Sequence, residues 1–539
     1  MKLTIPGSTL VPALLFVALS PICFGQTTAN GALATLSNPC PRFTEGSTVR
    51  QPPDLYSANG SLMVNLAYNT AKDSAGRTLY CFTTPDGKES PTIHVSPGDT
   101  LVLKVENKLL TPTSAANMVV STNASVACGA PNQNASSVNI HYHGTNTSPA
   151  CGADQVIRTL INSGQQFVYT LVFPADEPPG LYWYHPHVHG LAEAALLGGA
   201  SGAIVVRGMS NIQPAVAGLP QKVFVIRDQV VPAGITGPNV PAWDVSVNYV
   251  PINYPVYKPA VLNISPGQKQ FWRVSNSSAN TIVDIQLQYD GVPQTLQVVA
   301  LDGVPTGSLD GNIQGQIVPR TDILIPTAGR AEFIVTGPSS TVKNATLYTL
   351  KVDTGSQGDN DPTRPLMSLN THALLPVSSK IVDDSAPGAV GNRFAGLNTA
   401  PIFASRTLYF SEDNPNQQFF ITVEGQTPKL FNPNNPPAIT TKQGSVESWT
   451  VQNRSLEAHE FHIHQIHFLL VGRNGAPVPF DDIQMLDTVH IPGWTGSGPY
   501  PSATLLMDFR GPDIGDFVYH CHILNHEDQG MMAIIRVTK

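Results

Sequence analysis

Short runs of β-branched and apolar residues recur along the whole chain, at residues 100–105, 167–173, 203–206, 222–226, 270–274, 331–335, 346–352, 448–451 and 533–537. Gly, Pro and Asn break the chain between them. Runs of this length with this punctuation predict strands, and their recurrence predicts an all-β molecule made of sandwiches. One phrase repeats in outline. Ser96-Pro97-Gly98 and Ser265-Pro266-Gly267 each open an apolar strand that ends, within about ten residues, on Asn107 and Asn276. Lys442-Gln443-Gly444, leading to Asn453, reads as a third copy. Three similar β units follow, placed at 45–208, 209–375 and 400–539. The stretch 353–400 is rich in Asp, Asn, Pro, Ser and Gly without clear periodicity, and it reads as a long connection, with the linker proper at 376–399.

Composition narrows the class. The 539 residues include 44 Gly and 47 Pro, and only 13 % are charged, about half of the roughly 25 % that is usual. With 41 % hydrophobic residues this excludes intrinsic disorder, and it equally excludes a coiled coil or long helical array. The net charge of −8 is modest and carries no long run of one sign, so nucleic acid is not an expected partner.

The first residues have the layout of a secretory signal: Lys2, an apolar stretch at 10–19, then Pro21 and small residues up to Gly25. Residues 1–25 are therefore expected to be removed and the remainder exported, to the periplasm or the medium, with no membrane span in the mature chain. Cys23 leaves with the signal. Of Cys40, Cys81, Cys128, Cys151 and Cys521, an oxidising compartment pairs four and spares one. Cys521 stands far from the others between two histidines, so it is the spare. Four cysteines allow three connectivities; pairing of sequence neighbours, Cys40 with Cys81 and Cys128 with Cys151, is the expectation. Eight Asn-x-Ser/Thr sequons would carry glycans only in a eukaryotic secretory pathway.

The chemistry lies in the histidines. Eleven of the fifteen fall in four words within the first and third units: His141-Tyr142-His143, His185-Pro186-His187-Val188-His189, His459-Glu460-Phe461-His462-Ile463-His464, and His520-Cys521-His522 with His526. In a strand, residues i and i+2 share a face, so each His-x-His projects two imidazoles side by side. Four such pairs supply eight imidazoles, which suit Cu, Zn, Fe or Ni. Cys521 discriminates among these metals. It points to the opposite face from His520 and His522, where it can join His459 and His526 with Met531 as a weak axial ligand, and two His, a thiolate and a distant Met make a blue-copper set. His94, His372, His467 and His490 show no pairing and are expected at the surface or behind the ligands.

These words resemble the copper motifs of the three-domain multicopper oxidases, the group that includes laccases, bilirubin oxidases and bacterial copper-efflux oxidases. The last word is most similar to bacterial members. The resemblance implies three cupredoxin-like Greek-key β-sandwich or barrel domains, with copper ligands in the first and third and a middle domain acting as a spacer. It implies four copper ions: a type 1 ion held by His459, Cys521, His526 and Met531, a type 2 ion held by His141 and His462, and a type 3 pair held by His143, His185, His187, His464, His520 and His522. His189 falls outside this set.

The same resemblance implies one-electron oxidation of phenols or aromatic amines at the type 1 copper, coupled through Cys521 to four-electron reduction of dioxygen to water. Asp154 and Glu527 occupy the positions of the family's proton-relay acids. Departures include Tyr142 for the common Trp, Gln155 for Gly after Asp154, Glu460 for Pro and Gln465 for Gly. Glu460, if at the site rim, would favour cationic or amine donors. The axial Met implies a low-to-moderate potential. Oxidation of Cu(I) or another metal ion is the alternative, although only Met367 lies at 353–400, where copper-efflux enzymes carry a Met-rich insertion. A copper-free structural or cell-division protein on the same fold is disfavoured by the complete set of twelve ligands. A monomer is expected.

Overall fold

The computed structural model describes residues 38–109, 128, 132–237, 239–308, 314–371 and 393–539. The signal-like segment, His372 and most of the 376–399 linker lie outside them. Nearly all regular structure is strand, arranged among the described residues as six sheets that pack in three pairs.

The same wiring recurs in each pair. Ser61–Lys72 runs parallel to Thr100–Asn107, Gln221–Val230 parallel to Lys269–Asn276, and Ile402–Asp413 parallel to Val446–Asn453. In each case the second strand then pairs antiparallel with a later one, Gln166–Val172, Arg330–Thr336 or Ser502–Asp508. The repeated turn explains this. Gly98, Gly267 and Gly444 all adopt positive φ (86°, 68° and 89°), a conformation open to glycine, and each starts the strand that takes the parallel partner. The repeated asparagine closes it. Asn107, Asn276 and Asn453 are fully buried, and their side-chain amides donate to backbone carbonyls of Ser136 and Ile161, of Thr281, Ile325 and Pro326, and of Glu457 and Pro492. Each asparagine thus substitutes for ladder bonds where the sheet ends.

Three apolar cores lie between the paired sheets, centred on Leu103 and Tyr169, on Trp272 and Phe333, and on Trp449 and Tyr519. Two disulfides join Cys40 to Cys81 and Cys128 to Cys151, the neighbour pairing, and Cys521 is free and buried. The stretch 353–400 is not all connection: Arg364–Asn370 is a strand of the second sheet pair, antiparallel to Ala345–Leu350 and parallel to Ala260–Asn263. Its polar alternation had no flanking glycine to mark it. No helix among the described residues is long and apolar enough to cross a membrane.

Asn276→Ala should lower the free energy of unfolding by about 2 kcal/mol, because three buried carbonyls lose their donors. A urea midpoint equal to that of the unaltered protein would show that these bonds are dispensable.

Candidate metal centres

Two antiparallel strand pairs bring the words together. His141–His143 lies against Gly180–His185 with His141 opposite His185, and His459–Ile463 lies against Gly515–Cys521 with His462 opposite His520 and Phe461 opposite Cys521. The first and third sheet pairs then face each other through these strands. His141 stacks on His464 with centroids 3.7 Å apart, and His143 stacks on His462 at 3.9 Å. His187 Nε2 and His464 Nε2 each approach His520 Nε2 to 3.2 Å.

All eight paired imidazoles are buried. Burial first, and repulsion from neighbouring imidazoles or Arg330 second, hold His141, His143, His462, His464 and His522 well below the ordinary histidine range, and His185 and His187 follow for the same reason. They are neutral, the form that offers a lone pair to a metal. Their outer nitrogens are anchored. His141 Nδ1 sits 3.0 Å from the Asp154 carboxylate, His462 Nδ1 donates to Asp487 O (2.8 Å), His185 Nδ1 to Pro186 O (2.9 Å) and His520 Nδ1 to Cys521 O (2.9 Å). The inner nitrogens of His141, His185 and His462 have no hydrogen-bond partner, nor does either ring nitrogen of His522. Three-residue groups such as His141/His143/His185, His141/His462/His464 and His187/His464/His520 each gather their ligand atoms within 4.8 Å. Orphaned, converging lone pairs at hydrogen-bond separations are what a set of metal ions would satisfy.

On the opposite face of the same strand, Cys521 Sγ lies 3.5 Å from His459 Nδ1 and 3.8 Å from His526 Nδ1, and these two nitrogens are 3.1 Å apart. The Glu460 amide donates to Sγ at 3.4 Å. Burial pushes the Cys521 thiol well above its usual range, so a thiolate here calls for a bound cation, and the His₂Cys donor set fits copper. Met531 is fully buried beside this group, its carbonyl accepting from the Cys521 amide at 3.1 Å.

The expected acids occupy distinct places. Asp154 is buried, accepts from the Tyr142 amide (3.1 Å) and from Gln465 Nε2 (2.6 Å), and holds His141. Glu527 is buried 3.4 Å from His520 Nδ1 and 3.7 Å from His187 Nδ1, with no hydrogen-bond partner on either carboxylate oxygen. Burial drives both carboxyls well above the usual range. Glu460 is not at a rim: it is fully buried and pairs with His490 Nδ1 at 2.8 Å, because strand alternation turns it away from His459. His94 and His467 are also buried, His467 against Asp302 O at 3.1 Å. His189 stays apart from the ligand groups, edge-on to Phe431.

Sequence reasoning missed the residues behind the ligands. Glu412 Oε1 (2.9 Å) and Ser455 Oγ (2.6 Å) hold His459 Nε2, Glu457 lies 3.4 Å from His526 Nε2, and Asp487 lies 3.1 Å from His143 Nε2. Only Glu457 had a local signal, being two residues before a ligand histidine. His526 also lines a cavity of about 500 Å³ together with Trp243, Asn280, Gln357, Asp359, Asn414, Phe419, Glu457 and Asn525, and Phe419 stacks flat on it at 4.4 Å.

A buried His₂Cys set back to back with converging imidazoles suits copper. Residues 404–539 and 115–211 each match a family model described as multicopper oxidase. A multicopper oxidase of Staphylococcus haemolyticus is 23 % identical over 406 residues, covering 74 % of this chain and 76 % of that protein. A laccase of Bacillus subtilis is 22 % identical over 400 residues, covering 68 % and 72 %. The solved structure of a Campylobacter jejuni multicopper oxidase, titled a metallo-oxidase, superposes with a TM-score of 0.65 at 21 % identity over 92 % of this chain and 96 % of that one. Two segments of the chain thus match the multicopper oxidase family, oxidoreductases that use copper and dioxygen, and the relatives similar along most of its length carry the same description.

Cys521→Ser should abolish blue colour and turnover with every donor while leaving the histidine-bound copper in place. Metal analysis showing loss of all copper, or a variant that stays blue, would contradict the separation of the two centres.

Proposed function

We propose that the protein is a laccase-like oxidase that takes single electrons from phenols or aromatic amines and reduces dioxygen to water. His459, Cys521, His526 and Met531 would hold a type 1 copper, His141 and His462 a type 2 copper, and His143, His185, His187, His464, His520 and His522 a type 3 pair. When bound, these four ions supply one-electron acceptance at the single centre and four-electron reduction of dioxygen at the triple one. The carrying observation is the His520-Cys521-His522 strand, whose alternation sends the sulfur to one donor set and the imidazoles to the other.

The chain's own groups do the rest. The cavity beside His526 would hold a donor against the imidazole edge, its amides and the Glu457 and Asp359 carboxyl oxygens accepting hydrogen bonds from hydroxyl or amine groups. From Sγ the covalent path to both flanking imidazoles is only a few bonds, and the His520 Nδ1 bond to the Cys521 carbonyl closes a shorter loop. Reduction of one dioxygen to two waters consumes four protons. Glu527, beside His187 and His520 with free carboxylate oxygens, and Asp154, behind His141, are placed to hold and pass them. Exclusion of bulk water by burial keeps these groups specific. Paired cysteines and the signal-like first residues support action outside the cytoplasm, in the periplasm for a bacterial source.

One observation bears on a metal-ion donor: the cavity carries two acidic side chains and no Lys or Arg, with burial raising Asp359 and burial together with Glu412 pushing Glu457 up to about 9. It also carries no thioether, which weakens the cuprous version of that reading.

Glu527→Gln and Asp154→Asn should each slow oxygen reduction by about 10²-fold or more with the blue absorption intact; unchanged turnover would remove that residue from proton transfer. Steady-state rates for a phenol, an aromatic amine, Cu(I) and Fe(II) should rank the organic donors first, with Glu457→Gln raising KM for them. Faster turnover of either metal ion would transfer the assignment to metal oxidation.

A further inference from the structure

The middle sheet pair contains no ligand, yet it reaches the wall of the three-metal centre. Thr327 Oγ donates to the His522 carbonyl at 2.7 Å, and Arg330, fully buried, forms a two-pronged ion pair with Asp487 of the third unit (Nη1–Oδ1 2.8 Å, Nη2–Oδ2 2.5 Å). Arg330 is itself fixed from three directions. Its Nε donates to Leu181 O of the first unit (3.1 Å), its Nη1 to Ala328 O (3.0 Å), and its amide to Asp302 Oδ1 (2.9 Å). Asp302 Oδ2 in turn accepts the Asp487 and Thr488 amides at 3.3 and 3.2 Å.

Asp487 then touches both stacked partners across the interface. Its Oδ1 lies 3.1 Å from His143 Nε2 of the first unit, and its carbonyl accepts from His462 Nδ1 of the third at 2.8 Å. The first unit is fitted to this pair at one more point. Gly144, which follows His143 at φ 81°, has no room for a side chain, since a Cβ there would collide with the Arg330 guanidinium and the Asp487 carboxylate.

We propose that Arg330 is a positioning residue for the three-metal centre: by fixing Asp487, it sets how His143 and His462 face each other. A buried carboxylate stripped of its cation is strongly unfavourable and drags its neighbours toward any other donor. The imidazoles of His143 and His462 are those neighbours. The middle unit therefore takes part in assembling the site and does more than separate the other two. The inference rests on the copper reading above, and it concerns only the three-metal centre, not the sulfur site.

The test is Arg330→Met, which keeps length and removes charge, alongside the double variant Arg330→Met/Asp487→Asn, which neutralises both partners while leaving an oxygen toward His143 and the backbone carbonyl toward His462. Copper per chain, the type 2 paramagnetic resonance signal and the blue band are measured during chelator challenge. Arg330→Met should stay blue but release copper from the three-metal centre about tenfold more readily, with an altered type 2 signal, and the double variant should recover most of that loss. Wild-type copper retention and signal in Arg330→Met would overturn the proposal. So would a double variant no better than the single, since a packing role is not rescued by removing Asp487's charge. If Arg330→Met fails to fold, the double variant decides alone: retention like wild type supports the proposal and depletion with the blue band kept overturns it. Absence of copper from the unaltered protein would instead reject the copper reading itself.

Discussion

The two-residue period of a β-strand governs this molecule. In Gly515–Cys521 and the residues just beyond it, one side chain must face away from both its neighbours, so Cys521 joins His459 and His526 while His520 and His522 join the other imidazoles. Two chemically different donor sets are thereby held at a fixed separation by peptide bonds. A helix would not do this, because neighbours at i±1 diverge by about 100° and would address three directions, not two.

That constraint carries a cost in burial. Six sheets cover eight imidazoles and a thiol, all polar groups that water would otherwise solvate. The outer nitrogens are answered by backbone carbonyls and carboxylates, which fixes ring orientation, and the inner ones are left converging. The three repeated asparagines show the same economy at the level of fold: a single side chain closes each strand end so that the loops carrying ligands start from a satisfied backbone.

What the sequence disclosed follows from locality. Strand runs, the Pro-Gly repeat and the His-x-His words are patterns within a few residues, and the all-β class and the side of the strand taken by Cys521 could be argued from them. Arg364–Asn370 escaped because a half-polar strand in a loop-like composition has no local mark. Glu460 was misplaced at a rim because adjacency to His459 in sequence says nothing about which residue lies opposite, and His490 on the neighbouring strand is what receives it. Arg330, Asp302 and Asp487 were invisible for a different reason: Asp487 lies 157 residues from Arg330 and 185 from Asp302, and a lone buried arginine in a strand resembles any other.

The carboxylates around the imidazoles differ in how their charge is met, and the difference sorts their roles. Asp487 is answered by a guanidinium and is committed to structure. Asp154 is answered by an amide and by Gln465, bonds that a neutral carboxyl would keep only in part, so it sits between structure and chemistry. Glu527 has no hydrogen-bond donor to its oxygens and stands between two imidazoles of the same group. A buried carboxyl without donors is held in its neutral form, because nothing around it stabilises the charge, so Glu527 stands beside the imidazoles with a proton to give. Proton movement is therefore expected to concentrate at Glu527, and the side of the cluster nearest His187 and His520 is where oxygen's protons should enter.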